Sequence, residues 1–201
     1  HEPKKIIHCE LCGFFASLRL CGRKPLLIVP PIMDEEFVAD LFQAKVFTET
    51  VLADTLYEDC TFEYCRFQDL ELKNVVFRNC DFRQCSWMNI TFDEVKIQEC
   101  RFEEGTLLGL QMNHGLVPTF ELSISGSKAQ FCVWEEMGLR NCSWKDTVIK
   151  DCNFFDCDLQ SVSFLNSDLM GTGFDRCQLQ KADFTSATNY VFDPAENPVA
   201  G

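Results

Sequence analysis

Large apolar residues recur at every fifth position over most of this chain, and that period excludes both common secondary structures. Leu52, Tyr57, Phe62, Phe67, Leu72, Phe77, Phe82, Trp87, Phe92, Ile97, Phe102 and Leu107 form one unbroken series. Two residues before each, from Phe62 onward, stands a smaller one: Cys60, Cys65, Leu70, Val75, Cys80, Cys85, Ile90, Val95, Cys100 and Gly105. A helix repeats its apolar face at about 3.6 residues and a strand at about 2. A chain that turns a quarter circle every five residues satisfies the pattern, with one large and one small residue pointing inward on each side. Four sides make a coil of about 20 residues, and such coils stack into a solenoid.

A second series follows in a shifted phase: Trp134, Leu139, Trp144, Ile149, Phe154, Leu159, Phe164, Leu169, Phe174, Leu179 and Phe184. Its smaller partners run from Cys132, Met137 and Cys142 to Cys177 and Ala182. All the cysteines after residue 33 fall on the smaller position. The chain has 13 cysteines, an odd number, so they cannot all pair within one chain. They read as reduced, buried fillers of a cytoplasmic protein. Neither a metal nor a disulfide is expected in the core.

Blocks such as Cys60-Thr61-Phe62, Cys80-Asp81-Phe82, Ser167-Asp168-Leu169 and Ala182-Asp183-Phe184 resemble the motif of the pentapeptide-repeat family. The resemblance covers roughly residues 37–193. It implies an all-β fold, a right-handed quadrilateral β-helix. Within it Phe62, Phe82 and Phe102 are expected to stack as one interior column, and Cys60, Cys80 and Cys100 as another. Trp134, Phe154 and Phe174 make a third, and Trp144, Phe164 and Phe184 a fourth. Successive coils lie about 4.8 Å apart, the spacing of hydrogen-bonded strands.

The expected organisation is an N-terminal extension at 1–33, a repeat domain at 34–193 and a C-terminal tail at 194–201. The two repeat tracts are offset by a break near residues 108–130, where Gly109, Gly115 and Pro118 lie. Leu110, Met112, Val117 and Leu122 still fit the first phase, so the insertion can be as small as two residues. Two readings of the break stay open. It is a bulge between solenoid halves, or a projecting loop around Gln111, Met112, Asn113 and His114 that touches a partner. The tail Asn189-Tyr190-Val191-Phe192-Asp193-Pro194 resembles the point where many family members leave the solenoid for an apolar capping and dimerising segment. No such segment is evident before Gly201, which puts a homodimer of the family type in doubt.

Residues 1–33 differ in character. Lys4, Lys5, Arg19, Arg23 and Lys24 oppose Glu2 and Glu10, a net of +3. One reading makes Met33 a start, with non-native or upstream sequence before it. A secretory signal is poorly supported, because Glu10 and Arg19 interrupt the apolar stretch. His8, Cys9, Cys12 and Cys21 supply only one Cys-x-x-Cys, too little for a zinc finger.

No Gly-x-Ser-x-Gly, phosphate loop or dinucleotide fingerprint is present. A non-enzymatic chain without cofactor or metal is therefore expected. The net charge is −13, which argues against direct nucleic-acid or anionic-membrane binding, since both need excess Lys and Arg. No apolar run is long enough to span a bilayer as a helix. Glu135, Glu136, Asp156 and Asp175 form a candidate acidic face, opposed only by Arg176. The composition points to a protein-binding solenoid of unassigned partner. Resemblance to the quinolone- and albicidin-resistance branch implies a narrower alternative. In that alternative an acidic, DNA-mimicking rod binds bacterial DNA gyrase or topoisomerase IV, type II topoisomerases, and protects them from poisons.

Overall fold

In the computed structural model the backbone turns a corner every five residues. The structure describes residues 33–48, 51–113, 116–140 and 142–199. The candidate zinc ligands of the N-terminal extension and His114 lie outside the described residues. One complete coil consists of the strands Thr61–Glu63, Arg66–Gln68, Glu71–Lys73 and Val76–Arg78. We number the faces of the solenoid 1 to 4 in that order. The corner residue lies two positions after the inward large side chain and adopts a left-handed conformation: Tyr64 (φ 57°), Asp69 (52°), Asn74 (49°) and Asn79 (50°). Asn and Asp tolerate that region better than other side-chain-bearing residues, which is why polar residues recur at this fifth position.

All strand pairing is parallel. Phe42, Phe62, Phe82 and Phe102 are in direct register on face 1. Their rings stack at 4.8 Å between Phe42 and Phe62 and at 4.7 Å between Phe62 and Phe82. The Trp134, Phe154 and Phe174 rings stack in turn at 4.5 and 5.2 Å on face 3. Phe62, Phe82, Phe102, Trp134 and Phe154 are fully buried, and Phe174 nearly so. Each buried ring contributes roughly 1.5–3 kcal/mol of transfer free energy, so the column of rings is the main source of cohesion. About seven coils of this kind form an all-strand β-solenoid.

Cys60, Cys80 and Cys100 fill the small inward position and are buried. All ten described cysteines are free thiols. Each points its sulfur at backbone carbonyls: Cys80 Sγ lies 3.3 Å from the Arg78 oxygen and 3.4 Å from the Tyr57 oxygen, one coil back. The thiols thus help satisfy carbonyls on the inner side of the corner.

The break contains a two-residue bulge in the strand pairing. Thr91 pairs with Gln111, twenty residues on, but Gln111 pairs with Val133 and Phe102 with Ile124, twenty-two residues on. The two extra residues are absorbed where the long strands Val95–Glu103 and Leu116–Ser125 pair with register shifts. Ser123 then pairs with Ser143 and the twenty-residue coil resumes. Face 1 therefore continues from Phe102 through Ile124 to Trp144.

At the C-terminal end a polar side chain takes the next inward slot. Asn197 is fully buried and sits one coil beyond Cys177. Its Oδ1 accepts the Cys177 N–H at 2.9 Å, and its Nδ2 donates to the Phe174 carbonyl at 3.2 Å. Leu179 N–H bonds the Pro198 carbonyl at 2.9 Å. Phe192 packs its ring against Phe174 and Phe184. An amide side chain here takes the place of a further strand, and a polar residue in an inward slot is invisible to an apolar-period reading.

Candidate interaction surface

Outward side chains are not distributed evenly around the coil. On face 3 and the corner that follows it, acids recur from one end of the solenoid to the other. The corner column carries Asp54, Asn74, Glu94, Glu136, Asp156 and Arg176, all with positive φ. Asp34 begins it, with its N–H on the Asp54 carbonyl at 2.8 Å. Beside this column, one residue earlier in the chain, stand Lys73, Asp93, Asn113, Glu135, Phe155 and Asp175. The four acidic residues singled out from sequence are thus the lower part of one longer edge.

Their partners differ. Asp156 is held by the Arg176 fork, Nε to Oδ1 at 2.7 Å and Nη2 to Oδ2 at 2.7 Å. The same guanidinium reaches Asp175 at 3.0 Å. Hydrogen bonds from Arg176 hold the Asp156 carboxyl below the ordinary carboxylate range. Glu135 is exposed, and Phe155 separates it from Asp175 along the row. Higher up, Lys73 lies 3.7 Å from Asp93, and Asn74 donates to Asp54 at 2.6 Å. Glu94 is exposed on the corner.

The proposed loop residues join this edge, with one correction. Met112 does not project. It is 1% exposed, in register with Trp134, and fills the large inward position of face 3. The inserted residues are taken up after it, so the five-residue phase still governs its direction. Gln111 and Asn113 are exposed on either side of it, and Asn113 falls on the row that carries Asp93 and Glu135.

Face 2 has the opposite character. Its outward positions hold Arg66, Lys128 and Lys150 against Asp168, among Met88, Leu108, Val148 and Met170. Phe131 projects from the adjoining corner, 54% exposed. Sequence reading missed this sorting, because it appears only when coils are superimposed at twenty residues with the two-residue offset at the bulge.

Nothing in the geometry of the described residues assembles a catalytic group. A shallow groove of about 240 Å³ is lined by Glu63, Tyr64, Arg83, Gln84, Glu103 and Glu104. There Arg83 approaches Glu63 at 3.6 Å and Gln84 donates to Glu104 at 2.9 Å. Among the described residues no cluster of His, Cys, Asp and Glu is arranged to hold a metal ion. Among them, too, no helix is long and apolar enough to cross a membrane.

Two family models match the chain. Residues 33–107 match the SV2A/B/C luminal domain, and residues 151–188 match pentapeptide repeats. No curated protein sequence matches. Among solved structures, a trypsin-treated variant of QnrB1, a plasmid-mediated fluoroquinolone resistance protein, is similar at 15% identity and TM-score 0.53. That match covers 85% of this chain and 84% of that one. HetL, involved in heterocyst differentiation regulation in the cyanobacterium Nostoc sp. strain PCC 7120, is similar at 13% identity and TM-score 0.36, over 80% of this chain and 88% of that one. At 15% identity the likeness to the QnrB1 variant is one of fold.

Proposed function

Given that the chain is a pentapeptide-repeat protein, we propose that it is a non-catalytic docking solenoid whose acidic edge receives a basic protein partner. The observation that carries this is the sorting of charge: carboxylates run along face 3 and its corner, while face 2 holds lysine and arginine. An evenly charged surface would serve solubility as well; a sorted one steers an oppositely charged partner to one side.

The edge favours a partner with discrete basic positions over a nucleic-acid groove. Asn74, Lys73 and Arg176 interrupt the line of acids, whereas a DNA phosphate backbone presents one charge about every 1.7 Å of axis. The gyrase and topoisomerase reading therefore ranks second. It is tested by supercoiling assays with and without a fluoroquinolone.

The placement of the chain is part of the reading. The luminal-domain match over residues 33–107 supports a luminal side over the cytoplasmic one expected from the cysteines.

The test uses an oligolysine peptide as probe. Neutralising Glu94, Glu135 and Glu136 to Gln should weaken binding about tenfold, or roughly 1.4 kcal/mol. Neutralising Glu58, Glu63 and Glu99, an equal charge elsewhere, should weaken it far less. Equal losses from both triples would mean that only net charge matters and that the edge is no site.

A further inference from the structure

We infer that Asn89 is an acceptor for N-linked glycosylation. Asn89-Ile90-Thr91 reads Asn-x-Thr with x not proline, the acceptor pattern of N-glycosylation. The solenoid presents this tripeptide in a usable way. Asn89 turns an exposed corner at φ 50°, Ile90 points into the core at 1% exposure, and Thr91 is exposed at the start of the next face.

The corner also has room for a substituent. Asn89 Nδ2 donates one hydrogen to Asp69 Oδ1 at 2.9 Å. A primary amide has a second hydrogen, so a glycosylated nitrogen can keep the Asp69 bond. On the next coil the same corner is Gly109, at φ 65°, where a Cβ would stand 2.8 Å from Asn89 Oδ1. Glycine leaves that side of the amide clear. Asn74, Asn79, Asn166 and Asn189 share the left-handed corner geometry, but none has Ser or Thr two residues on. They are internal controls. A second tripeptide, Asn141-Cys142-Ser143, fits the pattern, but Asn141 lies outside the described residues.

The transfer is balanced with a polyprenyl-diphosphate-linked oligosaccharide as donor. Asn89 Nδ2 bonds to C1 of the first sugar, and the C1–O bond to the diphosphate breaks. The diphosphate leaves with the bonding electron pair, and the proton lost from Nδ2 passes to a base of the transferase. This inference rests on the luminal placement proposed above and is independent of the acidic edge.

The experiment maps the chain isolated from the cells that make it, after peptide N-glycosidase treatment in heavy-oxygen water. Trypsin cutting after Arg83 and Lys96 isolates Asn89 in one peptide. The expected result is heavy-oxygen aspartate at position 89, with Asn74 and Asn79 unmarked. Thr91→Ala should abolish the mark and Thr91→Ser should retain it, which separates loss of the acceptor from loss of folding. Protease protection of membrane-enclosed chain reports the compartment separately. An unmarked Asn89 in protected chain overturns the site alone. An unmarked Asn89 in chain open to cytosolic protease overturns the placement and the site with it.

Discussion

Asn74 donates its side-chain amide to the Asp54 carboxylate at 2.6 Å, across one coil of the same corner. The pairing recurs between Asn79 and Asp59 at 2.6 Å, Asn89 and Asp69 at 2.9 Å, and Asn166 and Asp146 at 2.9 Å. In each pair both residues hold left-handed backbone, and the amide belongs to the later coil. The ladder staples neighbouring corners outside the core. Asn79→Ala removes the bond and places alanine at φ 50°, so it should cost about 1–3 kcal/mol. Asn79→Gly removes only the bond and should cost less. Urea denaturation of both variants checks the order, and equal losses would show that backbone strain plays no part.

The interior column predicts larger effects. Phe82→Ala opens a cavity between Phe62 and Phe102 and should cost about 3–5 kcal/mol. Gly105→Ala tests the same core from the other direction. Its added Cβ would meet the Cys85 carbonyl oxygen at 2.4 Å and the Phe102 ring at 2.5 Å. Backbone oxygen cannot move aside cheaply, so overpacking of about 1–3 kcal/mol is expected. A melting temperature unchanged by either variant would contradict the inward assignment.

Phe131, like Tyr64, is an unfavourable corner residue. It takes φ 54° with a bulky side chain that is 54% exposed. Phe131→Asn should raise stability by about 1 kcal/mol, because asparagine tolerates this backbone region better. A loss instead would mean that the ring makes contacts worth more than the strain it imposes.

The five-residue period made the fold legible because core direction is a local property of each side: Phe82 points inward whatever its neighbours do. The same logic placed Met112 in the core once the insertion fell after it, although a glycine-rich context suggested a loop. What stayed hidden depended on superposition. Asp54 and Asn74 meet only when coils stack, and Glu94 joins Glu136 on one edge only across the two-residue bulge. Asn197 stayed hidden for another reason, since it fills an apolar slot with a polar side chain whose partners are backbone groups.

Two of the buried thiols should be inert while the fold holds. Burial pushes the Cys142 and Cys85 thiols up to about 12. Both are therefore protonated at about pH 8, and thiolate is the reactive form. Iodoacetamide at that pH should leave Cys85 and Cys142 unmodified in the native chain and modify both in denaturant. Rapid native labelling of Cys142, read by peptide mapping, would show that the core opens on the labelling timescale.

Arg176 sets the strength of the lower acidic edge. Its fork on Asp156 favours the charged carboxylate in the folded chain, which lowers that group's pKa. The linked stabilisation is therefore present above the ordinary aspartate value of about 3.9 and is lost as pH falls below it. Arg176→Ala should return the Asp156 titration midpoint, followed by NMR, upward toward the ordinary range. Thermal stability at neutral pH should barely change, because the pair is solvent-exposed and screened. The same substitution frees Asp156 and Asp175, so an oligolysine probe should bind the variant more tightly than the parent chain. The gain should shrink as salt approaches about 1 M, where the Debye length falls to about 3 Å. Weaker binding by the variant would mean that the guanidinium itself is part of the docking surface.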